Sequence, residues 1–296
     1  MPRALRLVRL LLLLCALPAP CVVLAAAPAQ AQPPVWVAHG PHATVVLFGS
    51  IHLLPPGLDW EPPELKTAIG QADDLWFEVP IDQAASLKAA QMAVQLGLEP
   101  QGHTLSEALS PETRARLAKA AQTCGLPMAG LDRLRPWYAE LALSVASYRQ
   151  YGAGVESGVE QTLSAANPAV PRRSFETVEQ QIGFLADASE ADQLASLTET
   201  LDELQDGPAQ YQRLVHAWMA GDVAAIKTEA LEPVIREAPG VYRTLVVERN
   251  RRWLGALTAR LNGRGEAVVV VGVGHLIGPD SVPALLRKAG YKVDGP

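Results

Sequence analysis

Val45-Val46-Leu47-Phe48-Gly49-Ser50-Ile51-His52 and Val268-Val269-Val270-Val271-Gly272-Val273-Gly274-His275 share one frame: four apolar residues, a glycine, two residues and a histidine. A short continuous apolar run of this kind reads as a strand covered on both faces, as in a parallel sheet. The glycine leaving it permits a sharp turn or the close approach of another chain, and the histidine projects from the loop beyond the strand end. In open α/β sheets that carboxyl edge is where ligands bind. If the two strands are parallel near neighbours, both imidazoles reach into one crevice, although they come from opposite ends of the chain.

Further strands flank these two. Val35 to Ala38 and Thr44 to Phe48 enclose the turn His39-Gly40-Pro41-His42 and predict a hairpin, with both turn histidines facing solvent. Leu75 to Val79 is a third short apolar run and carries one acid, Glu78; Tyr291 to Val293 predicts a last edge strand. From Gln83 to about Leu261 the pattern changes to helix-length stretches punctuated by Gly and Pro, such as Ser110 to Cys124, where a capping serine precedes a proline. A helix follows the second histidine motif, from about Ser281 to Ala289. The fold class expected is α/β with an α+β-like layout: a central sheet built from N- and C-terminal strands, with a large helical middle region.

The 296 residues are 49% hydrophobic and 19% charged, which excludes a disordered chain of low hydrophobicity. Net charge is −6 and no long run of Lys and Arg occurs, so nucleic acid is not an expected partner. The N-terminus departs from these averages: Arg3, Arg6 and Arg9 precede the leucine-rich stretch Leu10 to Leu17, then come Pro18, Pro20 and the small-residue stretch Leu24 to Ala31. This is the order of a secretory signal peptide, with Ala29-Gln30-Ala31 as the cleavage site. The expected organisation is a signal peptide over 1–31 and a single domain over 32–296, exported to a periplasm or secreted. No other apolar run approaches the roughly 20 residues of a spanning helix, so no stable membrane span is expected after cleavage. Cys124 would then be the only remaining cysteine, which excludes an intramolecular disulfide; at an apparent helix end it reads as a packed small residue.

Two histidines and a carboxylate are a common ligand set for a divalent metal that keeps an open position for water, and such a metal lowers the pKa of its water toward ~7. Equally, one histidine could be a general base oriented by the glutamate, with no metal. The residues leave both readings open. An acid inside the apolar frame Trp76-Phe77-Glu78-Val79 calls for a partner, because burying an unpaired carboxylate costs several kcal/mol. Rival signatures fail: the third glycine of Gly272-Val273-Gly274-His275-Leu276-Ile277-Gly278 is one place late for a dinucleotide fingerprint, and neither H-E-x-x-H nor G-x-S-x-G occurs.

These motifs, with the helix Glu248-Arg249-Asn250-Arg251-Arg252-Trp253 and the ending Gly290-Tyr291-Lys292-Val293, resemble the TraB/PrgY/GumN family over nearly the whole chain after the signal. The short form resembles its bacterial GumN-type branch. That family is similar to the Tiki proteins, described as metal-dependent proteases, and to erythromycin esterases and ChaN-like proteins. The resemblance implies the same α/β fold, with His52 and His275 as metal or catalytic histidines and Glu78 as the acid. It also implies Glu160, in Gly158-Val159-Glu160, as a second acid, and Arg249 as a basic group for a substrate carboxylate or a developing oxyanion. One departure is Gly-Ser-Ile-His where the family often has Thr after the glycine; the hydroxyl is kept.

The expectation is an exported metal-dependent hydrolase, a peptidase by first reading, using a divalent ion such as manganese, cobalt or zinc. The alternatives are a non-catalytic envelope factor that binds a peptide or saccharide in the same pocket, and a metal-free esterase-like hydrolase with histidine as base. The substrate, peptide or small molecule, is not specified by the residues. His216, among apolar neighbours on a helix, reads as a packed core histidine; His103 reads as a loop residue, and Trp137-Tyr138 and Gln180-Gln181 as core and surface of helices.

Overall fold

The computed structural model describes residues 31–207 and 209–296; the expected signal peptide, up to residue 30, lies outside them. Six strands form one mixed sheet: β1 (Val35–His39), β2 (Ala43–Ser50), β3 (Asp74–Phe77), β4 (Arg172–Ser174), β5 (Gly265–Gly272) and β6 (Lys292–Asp294). Their spatial order is β4-β3-β5-β2-β1-β6, with β2, β5, β3 and β4 parallel and β1 antiparallel to both β2 and β6. The α/β class is as expected, the hairpin β1–β2 forms, and β6 lies at an edge.

The strand carrying the second motif sits at the centre. β5 runs beside β2 over eight register pairs, from Ala43↔Gly265 to Ser50↔Gly272, and beside β3 on its other side, Phe77↔Val270. Ala267 to Val271 is almost solvent-free, which is why this run is wholly apolar rather than alternating. The same core holds Trp36, Phe48, Leu75, Trp218, Trp253 and Leu286, so helices and both chain ends share one apolar interior.

Some elements differ from expectation. β3 stops at Phe77, so Glu78 follows the strand instead of lying inside it. Helices over Pro63–Gln71 and Val159–Ala166 and the short strand β4 are additions. The last helical stretch before β5 is a π-helical turn, Arg243–Glu248, followed by an α-helix, Arg249–Leu261. His216 is corrected: the helix Ala209–Ala220 buries Tyr211, Ala217 and Trp218, which turns His216 outward to an open groove with Gln212 and Arg213. Cys124 is buried as expected, its Sγ 3.8 Å from the Leu143 carbonyl oxygen. Among the described residues no helix is long and apolar enough to cross a membrane.

Candidate active site

The carboxyl ends of β2, β3 and β5 open onto one crevice of about 220 Å³, whose lining includes His52, Glu78 and Glu160. Three of the five residues singled out from the sequence line it, and the other two, His275 and Arg249, lie buried behind Glu78.

His52 leaves β2 through a loop fixed from outside. The N-terminus of the helix Val159–Ala166 docks on it, Val159 N–H donating to the Ile51 carbonyl at 3.3 Å. That contact requires Gly158, where a Cβ would lie 2.0 Å from the His52 carbonyl oxygen. Glu160, two residues on, accepts from His52 Nδ1 at 2.7 Å and from Ser50 Oγ at 2.5 Å. The Glu160 carboxylate raises the His52 pKa to about 9 against the opposing effect of burial by surrounding protein atoms. With its side chain still 55% exposed, His52 stands at the open side of the crevice.

His275, on the single turn after β5, is buried. Its Nδ1 lies 2.7 Å from Asn250 Oδ1, and the Asn250 amide nitrogen donates to the His275 and Asp280 carbonyls. Asn250 Oδ1 is therefore an acceptor, so Nδ1 carries the hydrogen and Nε2 the lone pair. Trp253 covers the ring, 4.5 Å between centroids. Burial pushes the His275 pKa down to about 4, with Arg249 and His52 acting in the same direction against Glu78.

Glu78 Oε1 accepts from the Gly272 N–H at 2.7 Å and lies 3.7 Å from His275 Nε2; Oε2 accepts from Arg249 Nη2 at 2.6 Å. Burial alone would raise this carboxyl, but His275, Arg249, His52 and the Gly272 N–H hold it well below the usual carboxylate range. Because His275 is neutral at pH 7, Arg249, protonated His52 and the Gly272 N–H are what keep Glu78 ionised there.

Arg249 is neither a surface ion pair nor an open anion receptor. Its Nε and Nη2 grip Glu176 at 2.7–3.1 Å, Nη2 also reaches Glu78, and Nη1 faces the Leu245 carbonyl at 3.2 Å and His275 Nε2 at 3.3 Å. Every N–H of the guanidinium has a protein acceptor. The expectation that it receives a substrate carboxylate or oxyanion therefore gives way to a positioning role.

Two functional residues were not singled out beforehand. Asn250 sets the His275 tautomer. Glu176, buried, clamps Arg249 and accepts from Trp253 Nε1 at 2.8 Å. Its signal was a second rhyme: Phe175-Glu176, just after β4, repeats Phe77-Glu78 at the end of β3, and the two segments run side by side, Phe175 N–H to Phe77 carbonyl at 3.1 Å and Glu176 N–H to Glu78 carbonyl at 2.9 Å.

The space for a ligand lies over Gly272. A Cβ there would stand 3.2 Å from Glu78 Oε1, 3.3 Å from His52 Nε2 and 3.7 Å from His275 Cδ2, so the missing side chain leaves a gap bordered by all three groups. Among the described residues no group of three or more His, Cys, Asp and Glu side chains is assembled at metal-ligand spacing. The donor chemistry nevertheless fits a divalent ion. Both imidazoles give Nδ1 to a protein acceptor, the arrangement that orients metal-binding histidines; His52 Nε2 borders the gap, whereas His275 Nε2 accepts from Arg249 Nη1 at 3.3 Å and would exchange that contact for an ion. Glu78, Glu160 and Glu176 outnumber the one guanidinium, and with His52 neutral a dication would balance them.

The model of the TraB/PrgY/gumN family matches residues 34–295. No curated protein and no solved structure matches the chain.

Proposed function

We propose that this chain, which belongs to the TraB/PrgY/gumN family, is an exported hydrolase acting on a peptide, with His52, His275 and Glu78 as the groups that hold a divalent ion, manganese, cobalt or zinc. The observation that carries the reading is the gap over Gly272, bordered by His52 Nε2, Glu78 Oε1 and the His275 ring. A bound ion would supply a water of lowered pKa and polarise the substrate carbonyl. The remaining work falls to the chain itself. Glu160 fixes His52 through Nδ1, Asn250 fixes His275, and Arg249 holds Glu78 ionised while Glu176 holds Arg249 in place. Trp253 and the core beneath it keep bulk water from the back of the site.

One observation favours a second reading. His275 is a neutral imidazole whose Nε2 lone pair meets only the Arg249 Nη1 N–H, at 3.3 Å, and neutrality is the state a general base needs, whereas His52 paired with Glu160 is held protonated. Metal-free hydrolysis would then use His275 as base and His52 as acid. A non-catalytic envelope factor would use the same crevice for binding alone.

Elemental analysis of protein purified without chelator, beside folded His52→Ala and His275→Ala, separates these. Stoichiometric metal in the wild type, lost from both variants, together with peptide hydrolysis lost on chelation and restored by the ion, is the expected result. Metal-free protein with histidine-dependent hydrolysis would establish the second reading. Unchanged metal content and unchanged hydrolysis in both variants would remove this site from consideration.

A further inference from the structure

Val155 is an apolar, β-branched side chain left 44% exposed at the lip of the crevice. It stands in the short turn Val155–Ser157, ahead of the helix that carries Glu160. Phe77, Val79 and Ile81 also line the crevice. Phe77 ends β3, and Val79 and Ile81 follow within the next four residues, where the chain bends at Glu78 and Val79. The crevice thus has an apolar wall of four side chains, three of them from one five-residue stretch, beside the polar groups of His52, Glu78 and Glu160. At about 220 Å³ the space is smaller than the roughly 300–1,000 Å³ that drug-sized ligands occupy, and suits one amino-acid side chain.

Two amides complete the lining. Gln161 Nε2 donates to the Ile81 carbonyl at 3.3 Å, which leaves its oxygen as an acceptor, and the Gln181 side-chain amide bonds no described residue. Neutral donors and acceptors of this kind match the backbone amides of a peptide.

We infer that this apolar wall is the specificity subsite of the enzyme, and that the substrate is a peptide presenting an aliphatic side chain, of leucine or methionine size, to Phe77, Val79, Ile81 and Val155. The inference rests on the hydrolase reading for what happens to the peptide, but not for which side chain is bound. Acidic side chains are excluded, because Glu78 and Glu160 already hold negative charge at the inner end of the same crevice. The lip is also tied to the catalytic loop. Leu54 and Gly154 exchange backbone hydrogen bonds of 3.3 and 3.0 Å, two residues from His52 and one from Val155. A side chain seated against Val155 therefore braces the loop that positions His52.

The probes are N-acetyl-leucinamide, N-acetyl-glutaminamide and N-acetyl-glutamate amide, titrated by NMR into the purified protein and into Val155→Asn and Ile81→Asn. The leucine compound should bind at least tenfold more tightly than the glutamate compound, and each variant should lose about tenfold of the leucine affinity while keeping its melting temperature within a few degrees. Val155 is at the surface, so that variant stays interpretable if Ile81→Asn is poorly folded. Equal binding of the three probes, or leucine affinity unchanged in Val155→Asn, would overturn the subsite. Digestion of a peptide mixture distinguishes this from the failure of the hydrolase reading. Selective binding with no cleavage rejects the enzyme and keeps the subsite, whereas cleavage without aliphatic preference rejects the subsite and keeps the enzyme.

Discussion

Replacing Arg249 by methionine keeps most of the side chain's length and removes a charge that two buried carboxylates share. Glu78 and Glu176 have only 8% and 4% of their side chains exposed, and both bond the same guanidinium. Breaking a buried pair by removing one partner costs about 3–5 kcal/mol. The alternative for the folded variant is to bind a proton on one of the two, which at pH 7 costs about 4 kcal/mol for a carboxyl whose ordinary pKa is about 4.3. Both routes give a loss of about 4 kcal/mol at pH 7. The proton route also fixes the sign of the pH dependence. In the variant the folded state holds a proton that the unfolded state lacks between pH 5 and 7, so its stability falls as pH rises, by about 1.4 kcal/mol per pH unit relative to wild type. In the wild type Glu78 is depressed and ionised in both states over that window, so it adds no slope there. Urea unfolding followed by tryptophan fluorescence at pH 5, 6 and 7 should show the gap narrowing from about 4 to about 1–2 kcal/mol as the pH is lowered. A loss below about 1 kcal/mol at pH 7, or a gap independent of pH, would refute the shared-cation account.

Gly272→Ala should leave the fold within about 1 kcal/mol of wild type, because its backbone (φ −48°, ψ 134°) suits alanine, but should abolish ion binding by calorimetric titration, since the methyl occupies the gap between His52, Glu78 and His275. Full ion affinity in that variant would refute the placement of the site. Gly158→Ala should behave oppositely and lower the unfolding temperature sharply, because its Cβ meets the His52 carbonyl at 2.0 Å; an unchanged unfolding temperature would show that the helix start is not held against the loop. Asn250→Ala should weaken ion affinity about 10–100-fold by releasing the His275 ring; affinity equal to wild type would mean that the tautomer is fixed elsewhere. Away from the site, burial raises Glu140 to about 7, so its share of stability is present below the ordinary carboxyl range and is lost as pH rises through about 7; Glu140→Gln should flatten thermal-unfolding curves between pH 5 and 8, and identical curves would count against it.

The central strands and the two histidines at their ends were legible because burial on both faces of β5 leaves no room for polar residues, and because a tight strand exit marks itself with glycine. Glu78 was legible for the converse reason, an acid in an apolar frame. What stayed hidden depends on contacts between distant segments. Nothing in Arg172-Arg173-Ser174 says strand, since the first two residues of β4 are exposed at a sheet edge and pair on one side only. Glu176 gains its meaning only once β4 lies beside β3 and brings its carboxylate to Arg249. The insertion of β5 between β2 and β3 follows from pairing geometry and has no local trace. His216 misled because apolar neighbours along a sequence are not neighbours across a helix, whose buried face here passes through Tyr211, Ala217 and Trp218.

The position of β5 also carries a consequence in time. It is made after β1 to β4, yet it is the strand that β2 and β3 both require as a neighbour. Until it arrives, His52 and Glu78 have no shared wall, His275 and Gly272 do not exist, and Arg249 has no sheet edge to clamp. Pairing across so long a stretch of chain is slow to form. A chain interrupted before residue 265 therefore carries the crevice residues in separate pieces, and the crevice is assembled in one step once β5 has been made, rather than accumulating with length.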